Sequence, residues 1–566
     1  MKKYALGLDF GTNSCRSLIV DLTEGKELAS CVSDYSSGSD GILLNPKDPN
    51  VARQNPEDYH QSLVESVREA AAIAKKEDRE FSLQNIISIG VDTTGSSPMP
   101  VDEKGMPLGL LPEFKSNLNA MVWLWKDHSS YAEAALITER AQEIRPQYLA
   151  KVGGTYSSEW FWSKILHCKN TDPEAFKAAH SFVEFCDYIP ALLAGDTRPD
   201  RIIRSVCAAG HKAMYNEEWG GLPDKEFLSS LDPELGKLRD RLYEKAVPSD
   251  RLAGQLSQEW AEKLGLQPGI AVAVGAFDAH MGAVGAGVKE GTLVKILGTS
   301  TCDIMVSPKH KGFEDIPGVC GIVDGSVLPD YYGIEAGQSA VGDIFLWFVN
   351  HLVPDNYGKS PEERFKNLEV EAAKQKPGEH GLLALDWNNG NRTILVDVRL
   401  SGLLIGQTLH TQAHEIYRAL IEGTAFGALT IINRIEEYGV KVKEVVNCGG
   451  LAAKNPFLMK IYADITGRPM KVSGSDQTCA LGAAIFGAVA ARKEEGGFST
   501  VEDAQKALTG IKETHEPDPE NHDVYTELFR LYSQLHDSFG TQAWSGNLHN
   551  VMKDLISLRE RQRKSE

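Results

Sequence analysis

An α/β fold of two or more domains is what the sequence predicts, on three observations. Short β-rich runs alternate with stretches of helical periodicity along most of the chain, the pattern of layered α/β architectures. The length of 566 residues exceeds what one hydrophobic core organises. Finally, YALGLDFGTNSCRSLIVDL near the start and TLVKILGTSTCDIMVS in the second half share one design: a β-rich run, a polar turn and a second β-rich run. A duplication with one hairpin per domain would leave such a trace.

The elements follow in order. Residues 4–9 and 16–22 read as strands flanking FGTNSC, a hairpin whose tip carries Asp9, Gly11, Thr12, Asn13 and Ser14. A helix is predicted at 57–76, then a buried strand, IISIGV at 86–91, that delivers DTTGSS at its end. From about 113 to 262 the chain is polar, helical in periodicity and rich in aromatics, among them Trp123, Trp125, Trp160 and Trp162. This stretch is expected to be a helical insertion that shapes a substrate cleft. IAVAVG at 270–275 reads as another buried strand, and the second hairpin turns at Gly298, Thr299, Ser300 and Thr301. The boundary between an N-terminal and a C-terminal domain is placed between 287 and 288.

A long helix is expected from about 412 to 438, closed by Gly439, then a strand at 442–447. Asn455 makes a good N-cap and Pro456 a good first helical residue, and that helix stops near Gly467. The small residues of QTCALGAAIFGAVAAR, 477–492, permit close helix packing or close approach of a ligand. From about 493 the chain reads as mostly helical and charged, with an amphipathic run at 524–539.

Composition narrows the function. Lys and Arg number 59 against 78 Asp and Glu, and the net charge of -19 repels nucleic acid and anionic membrane, so neither is an expected partner. A small neutral substrate, or an anion held by backbone amides, suits the chain better. Its nine cysteines are scattered without a C-x-x-C pair, which argues for a reducing cytoplasm and against a thiolate zinc site. MKKYALGLDFG starts basic, but its apolar run meets Asp9 too early for a secretory signal. No apolar run reaches the length of about 18 residues that a membrane span requires.

Hairpin tips rich in glycine and hydroxyls offer N–H and O–H groups to phosphate oxygens, although the same residues make ordinary turns. Two tips that resemble each other, one preceded by an aspartate suited to hydrated Mg²⁺, point to a nucleotide. Two other patterns are decoys. Gly358-Lys359-Ser360 lacks the first glycine of a P-loop, Val353 standing in its place, and Asp9-Phe10-Gly11 has no glycine loop before it, unlike the protein-kinase DFG. Glycines 282, 285 and 287 do not form a dinucleotide fingerprint. In GLQPGIAVAVGAFDAHMGAVGAGV, 265–288, Asp278 is the sole acid. It reads either as the N-cap of a small-residue helix or as a carboxylate kept in an apolar wall to accept a proton. His280 reads as a helix-surface or supporting group, and Glu335, before AGQS, as buried and held.

DFGTNSCR at 9–16, WKD at 125–127, GAFDA at 275–279, GTST at 298–301, AGQS at 336–339, NGNRT at 389–393 and GGLAAKNPF at 449–457 together resemble the FGGY carbohydrate kinases. Each motif is weak alone; their ordered sum, from residue 4 to about 492, is specific. DTTGSSPMPVD at 92–102, VWLWKDH at 122–128, AGHKAMY at 209–215 and GAFDAH at 275–280 look most like the branch that phosphorylates L-ribulose. The resemblance implies two actin-like (ribonuclease H-like) α/β domains with ATP and sugar meeting in the cleft between them. It puts Asp9 on the magnesium side and Gly11, Thr12, Asn13 and Arg16 on the first phosphate loop. Gly298 and Thr299 fall on the second phosphate loop, and Gly337, Gly449, Gly450 and Asn455 in the adenine-nucleotide pocket. Asp278 matches the general base; Ser96 of the 94–97 loop, Trp125, Lys212 and Glu335 join it at the sugar.

The chain also departs from its relatives. Gly95 and Ser96 stand where glycerol kinases carry an Arg-Glu pair, which argues against glycerol as substrate. Val341 stands where a nucleotide-site glutamine is common, and Lys454 where Asn or Ser is usual. The expectation is an ATP- and Mg²⁺-dependent cytoplasmic kinase acting on the 5-hydroxyl of L-ribulose in L-arabinose breakdown, as a homo-oligomer, a dimer. Kinases of D-ribulose, ribitol or D-xylulose are the neighbouring readings. An actin-like ATPase that binds protein partners, or a sugar sensor that releases no ADP, are readings from other classes.

Overall fold

The computed structural model describes residues 2–310 and 313–564. The opening hairpin forms from β1 (Tyr4–Phe10) and β2 (Ser14–Asp21), with Asp9 opposite Arg16, and β3 (Lys26–Asp34) extends it antiparallel. On the other side of β1, β4 (Ile86–Thr93) runs parallel and brings Asp92 beside Asp9. The edge is completed by β5 (Leu252–Gln255) and β6 (Ala271–Ala273), β6 parallel to β4 and β5 antiparallel to β6. The run 270–275, expected as one strand, is broken: Val274 and Gly275 leave the sheet before β7 (Ala276–Phe277) pairs with the end of β4. At the break the backbone of Gly275 presses on the Cys186 carbonyl, where a Cβ would lie 2.2 Å from the oxygen.

The second sheet repeats this plan. It contains β8 (Thr292–Leu297), β9 (Thr301–Pro308), β10 (Gly321–Asp324), β11 (Tyr331–Ala336), β12 (Glu444–Cys448), β13 (Met470–Ser473) and β14 (Ile511–His515) in the order β10-β11-β9-β8-β12-β13-β14. Hairpin, antiparallel neighbour, two parallel strands and an antiparallel edge recur, and each hairpin carries a directly opposed ion pair. The charges are exchanged between copies: Asp9 faces Arg16 in the first, Lys295 faces Asp303 in the second. The tail from 493 is mostly helical, as read, and β14 is one strand within it that the reading did not include. Its sequence, IKETH, is exposed on four of five residues and carries no apolar alternation, as a charged edge strand that resists further pairing need not.

Helix α1 (Pro56–Glu77) covers the first sheet, capped by Asn55. The expected helical insertion is divided. Phe185, Tyr188, Ile189, Leu193, Leu256 and Trp260 pack in the core of the first sheet. Trp123, Trp160, Trp162, Phe176 and Phe227 build a separate core, to which helix α2 (Val206–Lys212) contributes Val206 and Ala209. Three short strands also interrupt this stretch, Val122–Trp123, Ser181–Glu184 and β5.

The halves meet at two small-residue helices, α3 (Asp278–Gly285) and α5 (Thr478–Ala490), separated in the chain by the long helix α4 (Ala413–Glu437). α3 touches β8 and β9 of the second sheet, while α5 lies on β1 and β4 of the first. A Cβ at Gly482 would sit 1.8 Å from the Met281 carbonyl, one at Gly285 2.0 Å from that of Thr478, and one at Gly7 1.9 Å from that of Ala480. The glycines thus serve backbone-to-backbone packing. The helix Pro519–Gly540 seals the second domain through Tyr525, Leu528, Leu531 and Tyr532. Among the described residues no helix is long and apolar enough to cross a membrane.

Candidate active site

Three carboxyl groups gather where the first sheet meets α3. β1 and β4 end side by side, so Asp9 and Asp92 share a register position, and β7 leads directly into Asp278, the first residue of α3. Asp9 Oδ2 accepts from Arg16 Nη1 at 3.1 Å. Burial pushes Asp9 up and Arg16 opposes that rise. Asp92 is fully buried, and neither of its oxygens has a hydrogen-bond partner among the described residues. Burial, then Asp9 and Asp278, hold it well above the usual carboxylate range. Asp278 is pushed up to about 7 by its enclosure and by Asp9. The N-cap position belongs to Phe277; Asp278 Oδ1 accepts the Ala279 N–H at 2.7 Å, and Oδ2 has no partner among the described residues.

The hairpin tip is tied to the wall beside it. Trp125 is half-buried and its indole N–H donates to Thr12 Oγ1 at 3.0 Å, while Gln54 donates to the Thr12 carbonyl at 2.7 Å. Gly11 N–H closes the turn on the Ser14 carbonyl, and exposed Asn13 donates to the Asp40 carbonyl. Asp127 of the WKD motif is an anchor rather than a ligand. It is buried against Arg53, whose guanidinium stacks 3.4 Å from the Trp123 ring centroid.

On the opposite wall Lys212 ends α2 and donates to both oxygens of Glu335 on β11, at 3.0 and 3.1 Å. Burial alone would raise the Glu335 carboxyl; Lys212, together with His211 and His280, outweighs it and holds the group well below the usual range. The lysine is therefore no solvated surface group. His211 Nδ1 lies 3.3 Å and His280 Nε2 3.8 Å from the same carboxylate, both rings buried, so His280 is a support behind Glu335 and does not lie on a helix surface. Lys212 and Glu335 both act on the Asp278 charge, which places the pair and the three aspartates in one field.

Ser96, expected at the sugar, has its hydroxyl turned into the protein. It is fully buried, its hydroxyl turned to the Glu184 carboxylate, which also accepts the Ser97 N–H at 2.8 Å. Lys164 clamps the same loop from the other side by donating to the carbonyls of Ser96 at 2.8 Å and Leu124 at 2.9 Å. The hydroxyl is thus committed inside the protein.

In the second half, exposed Gly298 and Thr299 form the hairpin tip, held by Val341 N–H on the Thr299 carbonyl and Gly342 N–H on the Gly298 carbonyl. Gly449 and Gly450 adjoin them. At φ +93°, Gly449 presses on the Leu297 carbonyl, where a Cβ would lie 2.4 Å away. Gly337 and Asn455 are buried. Gly337 is wedged between Thr301 and Arg392, and Asn455 spends its side chain capping Leu458 and bonding Glu369. Sequence reasoning missed Asp92, Glu184, Lys164 and His211. DTTGSS displayed Asp92 without distinguishing it from a turn residue, and no local pattern marks the other three.

Beside Asp9, Asp92 adds two oxygens without an N–H or O–H donor among the described residues at the end of the neighbouring strand, a donor set of the type a divalent ion takes. Hard cations of this kind take oxygen ligands.

The N-terminal domain model of the FGGY family of carbohydrate kinases matches residues 4–285, and the C-terminal domain model of that family matches residues 293–491. The chain is 42% identical over 550 residues to the ribulokinase of Vibrio parahaemolyticus, covering 94% of this chain and 95% of that protein. It is likewise 42% identical over 572 residues to the ribulokinase of Shouchella clausii, covering 99% of each. Among solved structures, a xylulose kinase from Rhodospirillum rubrum superposes with a TM-score of 0.73 at 21% identity, over 97% of this chain and 100% of that one. Plasmodium falciparum glycerol kinase with ADP superposes with a TM-score of 0.75 at 16% identity, over 96% of this chain and 99% of that one.

Proposed function

This chain belongs to the FGGY family of carbohydrate kinases, two actin-like α/β domains, and from that membership we propose that it phosphorylates L-ribulose on the 5-hydroxyl using ATP and Mg²⁺. The choice of sugar is supported by near full-length likeness to ribulokinases. The observation that carries the chemistry is Asp278, a carboxylate with one oxygen uncommitted and a pKa near about 7.

Phosphoryl transfer demands positioning and charge neutralisation more than covalent help. The attacking hydroxyl must lose its proton, and a carboxylate whose pKa lies near the working pH is suited to take it. Asp278 Oδ2 is that acceptor, while Oδ1 stays on Ala279 and keeps the group oriented. Lys212 supplies donors and Glu335 acceptors for the sugar hydroxyls, and the Trp125 ring offers an apolar face. Through its N–H on Thr12, Trp125 couples the sugar wall to the first phosphate loop. Gly11, Thr12, Asn13 and Arg16 on one side and Gly298 and Thr299 on the other line the phosphates; Gly449 and Gly450 line the base. Magnesium brought with ATP supplies charge neutralisation at the phosphates, with Asp9 on its side. Closure of the domains would exclude water from the transfer. A cytoplasmic location is supported by nine free cysteines, and a role in L-arabinose breakdown and a homodimer complete the reading.

The test is ADP release measured over L-ribulose, D-ribulose, ribitol and D-xylulose. L-Ribulose is expected to give the highest kcat/KM. A higher value for another sugar reassigns the substrate, and ADP release at full rate without sugar marks an actin-like ATPase instead.

A further inference from the structure

Asp92 is the one member of the three-carboxyl cluster that accepts no N–H or O–H among the described residues; its polar neighbour is the Asp9 carboxyl. Asp9 is held by Arg16 and Asp278 by the Ala279 N–H. Asp92 is as deeply buried as any residue in the core, and both its oxygens lack a donor among the described residues. Its carboxyl stands at the end of β4, level with Asp9 on the adjacent parallel strand, so both side chains leave the sheet on the same face. An unpartnered buried acid is expensive, and two side by side cannot both ionise unless a cation joins them. Arg16 faces the cluster and lowers the Asp92 carboxyl only as a minor influence, its Nη1 being bonded to Asp9 and its Nε finding no partner among the described residues.

We propose that Asp92 is the second carboxylate, with Asp9, that holds the divalent ion of the nucleotide complex, directly or through the ion's water. Magnesium is commonly held by one or two carboxylates together with substrate phosphates and several retained waters, a set that the two strand ends and the adjoining hairpin tip can supply. The assignment rests on the kinase reading for the presence of a metal–nucleotide complex, and it does not depend on which sugar is used. Asp92 is a ligand or positioning group for the ion; the proton of the sugar belongs to Asp278.

The experiment measures Mn²⁺ binding by electron paramagnetic resonance on the full-length chain with ADP and no sugar, for wild type and Asp92→Asn. Metal-free ADP affinity is measured alongside by calorimetry. The variant is expected to bind Mn²⁺ about 10- to 100-fold more weakly while metal-free ADP affinity stays within about 2-fold. Without metal its thermal midpoint should equal or exceed wild type, because the amide removes a buried acid, and Mn²⁺–ADP should raise that midpoint less than in wild type. Mn²⁺ affinity unchanged in the folded variant would overturn the assignment and leave Asp92 as a protonated structural partner of Asp9. Asp92→Ser, smaller and still polar, answers the same question if the asparagine variant does not fold. A wild-type chain that binds Mn²⁺–ADP through Asp92 yet phosphorylates no sugar would sink the functional reading and leave this one standing.

Discussion

Asp278 has two oxygens in two environments, one on the Ala279 N–H and one open. An asparagine there keeps a carbonyl oxygen for the Ala279 N–H and loses the ability to accept a proton. Asp278→Asn is therefore expected to lower kcat by about 10²- to 10⁴-fold, the usual contribution of a general base, with nucleotide affinity unchanged. Steady-state kinetics beside calorimetric ADP titration check both halves of that statement; turnover at the wild-type rate would remove Asp278 from the role. Lys212 and Glu335 illustrate a different residue-level lesson. Lys212 looks like an ordinary surface charge in sequence while Glu335 reads as buried and held, and only their meeting within 3.0 Å of one another makes them a fixed donor and acceptor set.

The helices α3 and α5 depend on having no side chain at their crossing. Gly482→Ala would place a methyl 1.8 Å from a main-chain carbonyl that no rotamer change can move. The overlap should cost about 1–3 kcal/mol, outweighing the roughly 1 kcal/mol that alanine gains over glycine in a helix. A lower thermal midpoint is expected, and since α3 begins at Asp278, a lower kcat with it. Elsewhere, α4 is bound to its surroundings through Glu422, which accepts from His380 at 3.0 Å, Arg418 at 2.8 Å and Tyr525 at 2.8 Å. Burial would raise this carboxyl, but His380 and Arg418 bring it down to about 2 from its ordinary 4.5. A depressed folded pKa adds stability that is complete above 4.5 and is lost as pH falls toward about 2. Glu422→Gln should lose about 3–5 kcal/mol at neutral pH, as broken buried pairs do, and should lose less on acidification than wild type. Urea unfolding at pH 7 and at about pH 3 measures both effects.

At the scale of the molecule, two copies of one sheet plan face each other across α3 and α5, and the groups assigned to sugar and phosphates come from both. Sugar and nucleotide together should therefore compact the particle more than either alone, read as a fall in the small-angle scattering radius; equal radii in all states would exclude closure. Much of this plan was legible. Two hairpins of like pattern, the strand IISIGV, the N-cap pair Asn455-Pro456 and the isolated Asp278 all follow from local periodicity and turn chemistry, which a chain carries in consecutive residues. β14 and the break at Gly275 were not legible, since a charged edge and a close carbonyl contact leave no periodic trace. The sequence by itself determined the element types, the repeat and the residues of the two loops. The tertiary structure alone decided that Asp92 stands beside Asp9, that Ser96 turns inward to Glu184, and that Lys212 meets Glu335. These pairings join residues far apart in the chain, and burial, not spacing, sets what each charge does.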